Sequence, residues 1–383
     1  MGKDLLIGAC LLLAMAGCSS SAVDEGLVVI DVKAGHPDKE LALQNFMEVE
    51  YVPLETTDEF VTQGDVLAVG EKYMVVKNWV NDGDIFLFDR QTGKGVRKWN
   101  RRGQGDEEYT YINGAVLDED RGEVFVNCSP TRKVMVYDLS GTFKRSFSLP
   151  EGAEALAIYD YDAGSLMLYD MSVYYDEGKS RTKPYYHLVI SKQDGALQRG
   201  IAIPFDIVRA PYVQKGDAVA VASVCPVVPW GKDWLLVETS SDTVYRYRPA
   251  DGSLHPVLAK KPTADPEVLL TMGVMTERYW FVQTIEKEFD FATGRGFHLD
   301  GLVYDRQAGE VYEPAVRNAD YEGQEVDLIS HPLNRGGIAA FQVLPADQLV
   351  EACGSGRLQG RLQEVAATLG EESNPVVMLM KPV

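Results

Sequence analysis

The stretch Asp89-Arg90-Gln91-Thr92-Gly93-Lys94 recurs along this chain as Asp305-Arg306-Gln307-Ala308-Gly309-Glu310. Weaker copies lie between the two, at 138–142, 191–196 and 248–253. The glycines of the copies are at 93, 141, 195, 252 and 309, so they are 48, 54, 57 and 57 residues apart. A repeat of this length indicates an array of similar supersecondary units.

Each copy begins where a short β-forming run ends, as Ile85-Phe86-Leu87-Phe88 does before Asp89. The aspartate can cap a turn with its side chain, and the glycine supplies the positive φ that a tight hairpin needs. A second apolar run lies upstream in every unit, at 73–76, 124–126, 166–169, 234–237 and 279–282. Several strands per unit and regular turns predict an all-β fold, a β-propeller with four-stranded blades.

The repeats give five clear units over residues 64–316, and the two ends of the chain supply further strands. Val28–Val32 and Val49–Leu54 are β-forming runs at the start, and Gly337–Val343 and Val376–Met380 are such runs at the end. We therefore expect a six-bladed ring whose last blade is shared between the termini. Closing the ring in this way removes an open sheet edge.

One amphipathic helix is predicted near the C-terminus, over about Arg357–Leu369. Leu358, Leu362, Val365 and Leu369 fall on one face of it, and Gly370 follows directly. An apolar stripe of this width is typical of a helix that packs on a folded body. We expect the helix to dock against the propeller.

The N-terminus carries a basic Lys3, an apolar run from Leu5 to Ala16, and then Gly17-Cys18. The run is too short to span a bilayer stably. The segment resembles a bacterial lipoprotein signal, which implies cleavage before Cys18 and acylation of that cysteine. The membrane is then a partner through the lipid, and the expected location is the cell envelope, at the outer membrane.

This resemblance divides the chain into three parts. Residues 1–17 are predicted to be the signal peptide, 18–26 a linker after the lipidated cysteine, and 27–383 the propeller. The formal charge of the chain is −20, and 45% of its residues are hydrophobic. A body this acidic repels nucleic acid, so we expect no nucleic-acid partner.

Cysteine and histidine patterns give no basis for a cofactor. Cys128, Cys225 and Cys353 are widely spaced without a C-x-x-C pair, and we interpret them as buried or half-buried free thiols. The histidines show no H-E-x-x-H or H-x-H spacing that would predict a metal site. We interpret the acidic run 118–120 as a solvated turn rather than a calcium site, so Ca²⁺ has no motif to support it.

Three segments carry a resemblance to a known family. They are Tyr51-Val52-Pro53-Leu54-Glu55-Thr56-Thr57, Gly103-Gln104-Gly105-Asp106-Glu107-Glu108-Tyr109 and Asn374-Pro375-Val376-Val377-Met378-Leu379. In this order they resemble the six-bladed β-propeller lipoproteins abundant in Bacteroidetes, which are similar in architecture to NHL-type propellers. Asp106 departs from the Pro-Gly usual in the second segment. The family is largely of unknown function, so the resemblance implies a fold and a compartment.

Strand parity, the alternation of strand direction within a blade, predicts which loops lie on the same face of the propeller. In a four-stranded blade, the connection from the second to the third strand lies on the same face as the connection to the next blade. The blade-one exit, 101–111, should therefore lie on the face that carries two long loops, Met171–Pro184 and Thr284–Phe297. Loops on a rigid scaffold commonly carry function.

Aromatic and cationic residues are concentrated in these loops. The candidate ligand-binding residues are Trp79, Arg101, Arg102, Tyr109, Arg132, Tyr174, Tyr175 and Arg181. Rings and guanidinium groups together can hold a sugar or an anionic ligand by stacking and bidentate hydrogen bonds. The alternative is that the tyrosines pack the long hairpins and the cations balance neighbouring carboxylates.

The sequence favours a non-enzymatic binding or scaffold lipoprotein that recognises a glycan, a peptide or an outer-membrane protein partner through one propeller face. No catalytic constellation is apparent: a G-x-S-x-G elbow is absent. The alternative is a lyase or hydrolase acting on a sugar or peptide at the central channel, for which His187, Tyr186 and Arg209 are the residues to inspect. A structural subunit of an outer-membrane assembly is the third hypothesis.

Overall fold

Six sheets follow one another around a ring in the computed structural model, which describes residues 26–329 and 337–383. The first strands in chain order are β1 (Val28–Ile30), β2 (Asp38–Ala42), β3 (Met47–Pro53), β4 (Asp65–Val69), β5 (Tyr73–Lys77), β6 (Asp84–Asp89), β7 (Gly95–Asn100), β8 (Gly114–Asp118), β9 (Glu123–Cys128), β10 (Lys133–Asp138), β11 (Phe143–Ser148), β12 (Ile158–Asp160), β13 (Ser165–Tyr169), β14 (His187–Ser191) and β15 (Leu197–Ile201). The others are β16 (Tyr212–Lys215), β17 (Ala218–Val221), β18 (Val227–Trp230), β19 (Asp233–Leu236), β20 (Thr243–Arg248), β21 (Ser253–Lys260), β22 (Val268–Met275), β23 (Tyr279–Glu286), β24 (Leu299–Asp305), β25 (Glu310–Arg317), β26 (Ala340–Leu344) and β27 (Val376–Pro382). The helices are α1 (Ala346–Gly354) and α2 (Gly360–Ala366).

The prediction of a six-bladed propeller with four-stranded blades is confirmed. Blades one to three are the four-stranded antiparallel sheets β4–β7, β8–β11 and β12–β15. Blades four and five contain the meanders β18–β21 and β22–β25. The repeated Asp…Gly turns join the third strand of each of these blades to the fourth, and their glycines have φ between 69° and 81°.

The N-terminal strands run along the outer edges of three blades. β1 adds to β21 of blade four and β2 adds to β25 of blade five, both in parallel, so these sheets have five strands. β3 pairs with β27, and blade six is the three-stranded sheet β26-β27-β3 within the described ranges. The prediction that Val28–Val32 belongs to blade six was therefore wrong. The pattern of residues indicates that a segment forms a strand, but it does not specify the blade whose edge strand it will pair with.

The C-terminal region contains two helices where one was predicted. α2 lies inside the predicted span 357–369, and its Leu362 and Val365 are buried in the core as expected. α1 was not predicted, and its Leu349 and Ala352 pack into the same core. The backbone between the helices includes Gly356 with a φ of 74°, which ends the first helix and divides the pair.

The acidic run 118–120 enters a turn, as interpreted, but only Asp120 of its three residues is exposed. The Glu119 carboxylate accepts hydrogen bonds of 2.8–3.0 Å from the backbone N–H groups of 71–73 in the neighbouring blade. The Asp118 side chain is buried and bonds to Lys192 Nζ at 2.5 Å. Both carboxylates connect adjacent blades because the turns of neighbouring blades meet there.

The three cysteines are free, as predicted: Cys128 is buried, and Cys225 and Cys353 are half-buried. In the part of the chain that the structure describes, no helix has the length and apolar character needed to cross a bilayer. Cys18 and the signal segment lie outside the described residues.

Glu123 makes the fold sensitive to acid. Its carboxylate forms a bidentate pair with Arg145 at 2.7 and 2.9 Å, and this pair lowers the pKa of Glu123 from 4.5 to about 2. A lowered pKa stabilises the fold above pH 4.5, and the contribution is lost as the pH falls through 2. We expect at most about 3 kcal/mol of unfolding free energy from this group at pH 7. Urea unfolding should show that Arg145→Gln is less stable than the wild type at pH 7, and that this difference in unfolding free energy is much smaller at pH 3. An equal difference at both pH values would contradict the role given to the Glu123–Arg145 pair.

Candidate functional site

Two adjoining cavities open at the centre of the ring. The central channel, of about 530 Å³, is lined by the innermost strands β4, β8 and β12. A side pocket of about 300 Å³ lies beside it. Leu156, Ala157, Tyr159, Ser223 and Val224 line both cavities, so the two volumes meet along this border.

The side pocket is walled by two segments that follow blade three. One wall comes from the end of β13 and the 3₁₀ turn after it, which place Tyr169, Met171 and Tyr174. The opposite wall is the connection from blade three to blade four, including Pro211 and Val221. We call the face that carries these connections the loop face. None of the described residues that line the side pocket is charged at neutral pH.

The polar groups behind Tyr169, on the side away from the pocket, are hydrogen-bonded to one another. The Tyr169 hydroxyl donates to Glu238 Oε2 at 2.9 Å, and the backbone N–H of Ser240 donates to Glu238 Oε1 at 3.1 Å. Burial raises the pKa of Glu238. The His187 ring lies 4.9 Å from the Tyr169 ring, and burial lowers the pKa of His187 to about 4, so it is neutral at pH 7. These contacts fix the orientation of the wall.

A chain of ion pairs ties the loops of blades three, four and five together. Arg209 contacts Asp242 at 3.0 Å and Glu267 at 3.6 Å. Lys287 contacts Glu267 at 3.4 Å and also pairs with Glu177. Glu177 belongs to the long loop of blade three and Lys287 to that of blade five. The two long loops that parity assigns to one face therefore meet.

A hairpin that the repeat does not predict lies beside the pocket. β16 and β17 form a two-stranded sheet outside the six blades, and Gly216 between them has a φ of 61°. The signal was present: Tyr212–Lys215 and Ala218–Val221 are short β-forming runs around Gly216-Asp217. It was overlooked because it does not match the fifty-residue repeat.

Large apolar side chains are exposed around the mouth of the two cavities. Leu156 and Val221 are 50% and 62% exposed at the rim of the side pocket, and Tyr111 is 44% exposed at the channel. Trp79 and Val80, in the connection between β5 and β6, are 65% and 67% exposed. Asn81 Nδ2 in that connection donates a hydrogen bond of 2.9 Å to the carbonyl oxygen of Ile112, which lines the channel.

Three of the predicted ligand-binding residues belong to this face. Tyr174 lines the side pocket and is buried. Tyr175 is 70% exposed, and its hydroxyl donates to Glu154 Oε2 at 2.8 Å. Trp79 is exposed on the other side of the channel mouth. Of these three, Tyr174 alone lines one of the two cavities, and ligand binding by all three stays a prediction.

The remaining predicted residues make contacts that hold the fold. Buried Tyr109 donates through its hydroxyl to the Gly83 carbonyl oxygen at 2.7 Å. Arg101 Nε donates to the Gly141 carbonyl oxygen at 3.2 Å, in a turn of the next blade. Arg102 is exposed, and its backbone bridges to Tyr109. The twist of blade one brings the end of β7 beside the turn of blade two, a contact that strand order alone does not reveal.

Arg132 and Arg181 likewise bond to backbone carbonyl groups. Arg132 Nε donates to the Ala153 oxygen at 3.0 Å, and Arg181 Nη1 donates to the Ile203 oxygen at 3.4 Å. The four predicted arginines are thus not gathered at one cavity. Their role in ligand binding stays a prediction.

The residues of the enzymatic alternative do not converge on an open site. His187 is buried behind the pocket wall, and its Nε2 lies 3.0 Å from the Pro226 carbonyl oxygen. Tyr186 is buried and its hydroxyl accepts the N–H of Lys183 at 3.2 Å, whereas Arg209 is held in the ion-pair chain. Among residues 26–329 and 337–383, no cluster of three or more His, Cys, Asp or Glu side chains could hold a metal ion.

The fold and the two cavities define a six-bladed β-propeller with a concave, largely uncharged mouth on its loop face. The chain belongs to the DUF5128 family, whose description is 6-bladed beta-propeller and whose model matches residues 19–330. A search of curated proteins finds no match.

The chain is similar to several solved structures at low sequence identity. A Bacteroides fragilis protein described as exported superposes with a TM-score of 0.62 at 13% identity, covering 93% of this chain and 99% of that one. A DUF4221 member from Bacteroides vulgatus gives a TM-score of 0.45 at 10% identity, covering 89% and 99%. Virginiamycin B lyase from Staphylococcus aureus gives 0.38 at 11%, covering 88% and 100%. The likeness to the Bacteroides fragilis protein, at 13% identity, shows the fold alone.

Proposed function

We propose that this protein is a cell-envelope lipoprotein of the Bacteroidetes propeller type that binds a ligand or partner through its loop face. The observation that carries the proposal is the concave mouth, where a tyrosine-walled pocket adjoins the central channel and exposed Leu156 and Val221 form the rim. Cavities that combine apolar walls with a few polar groups are typical ligand sites.

A binding role is favoured over an enzymatic one by the state of the ionisable groups. Glu238 and His187 lie behind the Tyr169 wall and are engaged with other protein groups. Catalysis by general acid and base needs such groups within hydrogen-bond reach of the reacting atoms. Tyrosine rings and aliphatic side chains instead supply contact area and stacking. The ligand remains one of the predicted classes: a glycan, a peptide or a partner protein.

The compartment is part of the same proposal. Cleavage before Cys18 and acylation of that cysteine would anchor the protein to the outer membrane. The first described strand, β1, begins at Val28, ten residues after Cys18. A tether of that length leaves the ring free to present its loop face to a partner. Metabolic labelling with a fatty-acid analogue, compared between the wild type and Cys18→Ala, tests the anchor; equal labelling would contradict it.

The double variant Leu156→Asp, Val221→Asp should abolish partner binding without unfolding the protein. Both side chains are at least half exposed, so the folded state loses little. Burying two carboxylates against a partner would be strongly unfavourable. We expect at least a tenfold loss of the component that co-purifies with the wild-type protein from a solubilised envelope fraction.

The matched control is Val96→Asp, Leu197→Asp. These side chains are 45% and 42% exposed, and they lie on the outer strands β7 and β15, away from the mouth. The control should retain the co-purifying component. Equal recovery with both double variants would contradict a binding role for the loop face.

A further inference from the structure

The side pocket contains a polar group that the fold does not use. Tyr159 lines both cavities, and its hydroxyl forms no hydrogen bond with any described residue. Burial raises the pKa of Tyr159, so this hydroxyl remains protonated across the neutral range. It is a hydrogen-bond donor at the border between the apolar pocket and the channel.

The neighbouring tyrosine does not offer the same donor. The Tyr169 hydroxyl is already committed to Glu238 at 2.9 Å. A ligand in the side pocket therefore meets the Tyr169 ring as apolar surface. Leaving a polar group unbonded when a ligand expels water from around it would be costly. A ligand that fits the pocket should thus bring an acceptor to Tyr159.

Charge and size restrict the ligand further. The described lining of the pocket carries no charge, and the chain as a whole has a formal charge of −20. An anion entering the pocket would therefore meet no cation among the described lining residues. The pocket volume of about 300 Å³ accommodates one ring with a short substituent and not a chain of sugars.

We infer that the side pocket binds a neutral molecule in which an aromatic or alicyclic ring is joined to an oxygen acceptor, as in an aryl or alkyl ether, ester or glycoside. The ring lies against Tyr169 and Tyr174, and the oxygen accepts the Tyr159 hydroxyl proton. The remainder of the ligand extends into the channel beside Tyr111 and Asn113. This inference rests on the proposed function, whose ligand class it narrows.

The test uses two small probes of the same shape, benzyl methyl ether and propylbenzene. They differ only by an ether oxygen in place of a methylene group. Their dissociation constants are measured by NMR titration for the wild type, for Tyr159→Phe, and for Tyr304→Phe as the control, because Tyr304 lies in β24 and lines neither cavity. We expect Tyr159→Phe to weaken the ether roughly 3- to 10-fold relative to propylbenzene, the range of one hydrogen bond. Tyr304→Phe should leave the ratio unchanged.

Two results would overturn the inference, and neither affects the proposed function. If both probes bind but Tyr159→Phe leaves their ratio unchanged, the oxygen acceptor is not recognised. If neither probe binds up to its solubility limit while the Leu156 and Val221 variant still loses its partner, the loop face binds by its rim and not by this pocket. Failure of the proposed function would instead appear as unchanged co-purification in that variant.

Discussion

Replacing Lys192 by methionine should destabilise the fold by about 3–5 kcal/mol. Its ammonium group is fully buried between Asp118 at 2.5 Å and Asp160 at 2.9 Å. The two carboxylates belong to β8 and β12, the innermost strands of blades two and three. Without Lys192, two buried negative charges would face each other with no cation between them. Urea unfolding at pH 7 measures the effect.

The matched control for this variant is Lys144→Met. Lys144 lies 2.6 Å from Glu123 but is 39% exposed, and Arg145 also holds that carboxylate. An exposed pair of this kind contributes about 0–1 kcal/mol. Adding Asp118→Asn and Asp160→Asn to Lys192→Met should recover part of the loss, because neutral amides can remain buried at lower cost. A loss below about 1 kcal/mol for Lys192→Met alone would refute the role given to the buried cation.

The second large effect concerns closure of the ring. Gly93, in the turn of blade one, has a φ of 69°, and a Cβ there would lie 1.9 Å from the carbonyl oxygen of Pro53. Pro53 ends β3, the strand that the N-terminus contributes to blade six. Alanine would add a left-handed penalty of about 1–2 kcal/mol to an overlap of about 1–3 kcal/mol. We expect Gly93→Ala to lower the unfolding free energy by about 3 kcal/mol or more.

Gly309 provides the matched control, because it occupies the same position in the repeat. Its φ is 71°, and a Cβ there would meet no atom within 4 Å. Gly309→Ala should therefore show only the backbone penalty of about 1–2 kcal/mol. Similar losses for the two variants in urea unfolding would mean that contact with Pro53 does not constrain the ring.

The repeat was enough to predict the fold because it encodes local chemistry. A positive-φ glycine closes the same hairpin in five blades, and an aspartate ends the third strand in three of them. The parts that were missed depend on long-range pairing. β1 pairs with β21, which lies more than 200 residues later in the chain, and the residues of Val28–Ile30 do not specify that pairing. The hairpin β16–β17 lies outside the repeat and had to be recognised by itself.

The site was predictable in location but not in its residues. Loop length pointed to the blade-three loop, and Tyr174 of that loop does line the pocket. Tyr159 and Tyr169 were overlooked because each lies within a strand, where a tyrosine is most simply explained by packing. The arginines were selected for their chemistry, yet the side chains of Arg101, Arg132 and Arg181 donate to backbone carbonyl groups in the loops around them. Sequence alone does not reveal which side chains the backbone has already engaged.

The most direct test of the binding site is a crystal structure of the protein grown with benzyl methyl ether. We expect the phenyl ring in the side pocket against Tyr169 and Tyr174, with the ether oxygen within hydrogen-bond distance of the Tyr159 hydroxyl. A probe that binds elsewhere on the propeller and leaves the side pocket unoccupied would contradict this binding site.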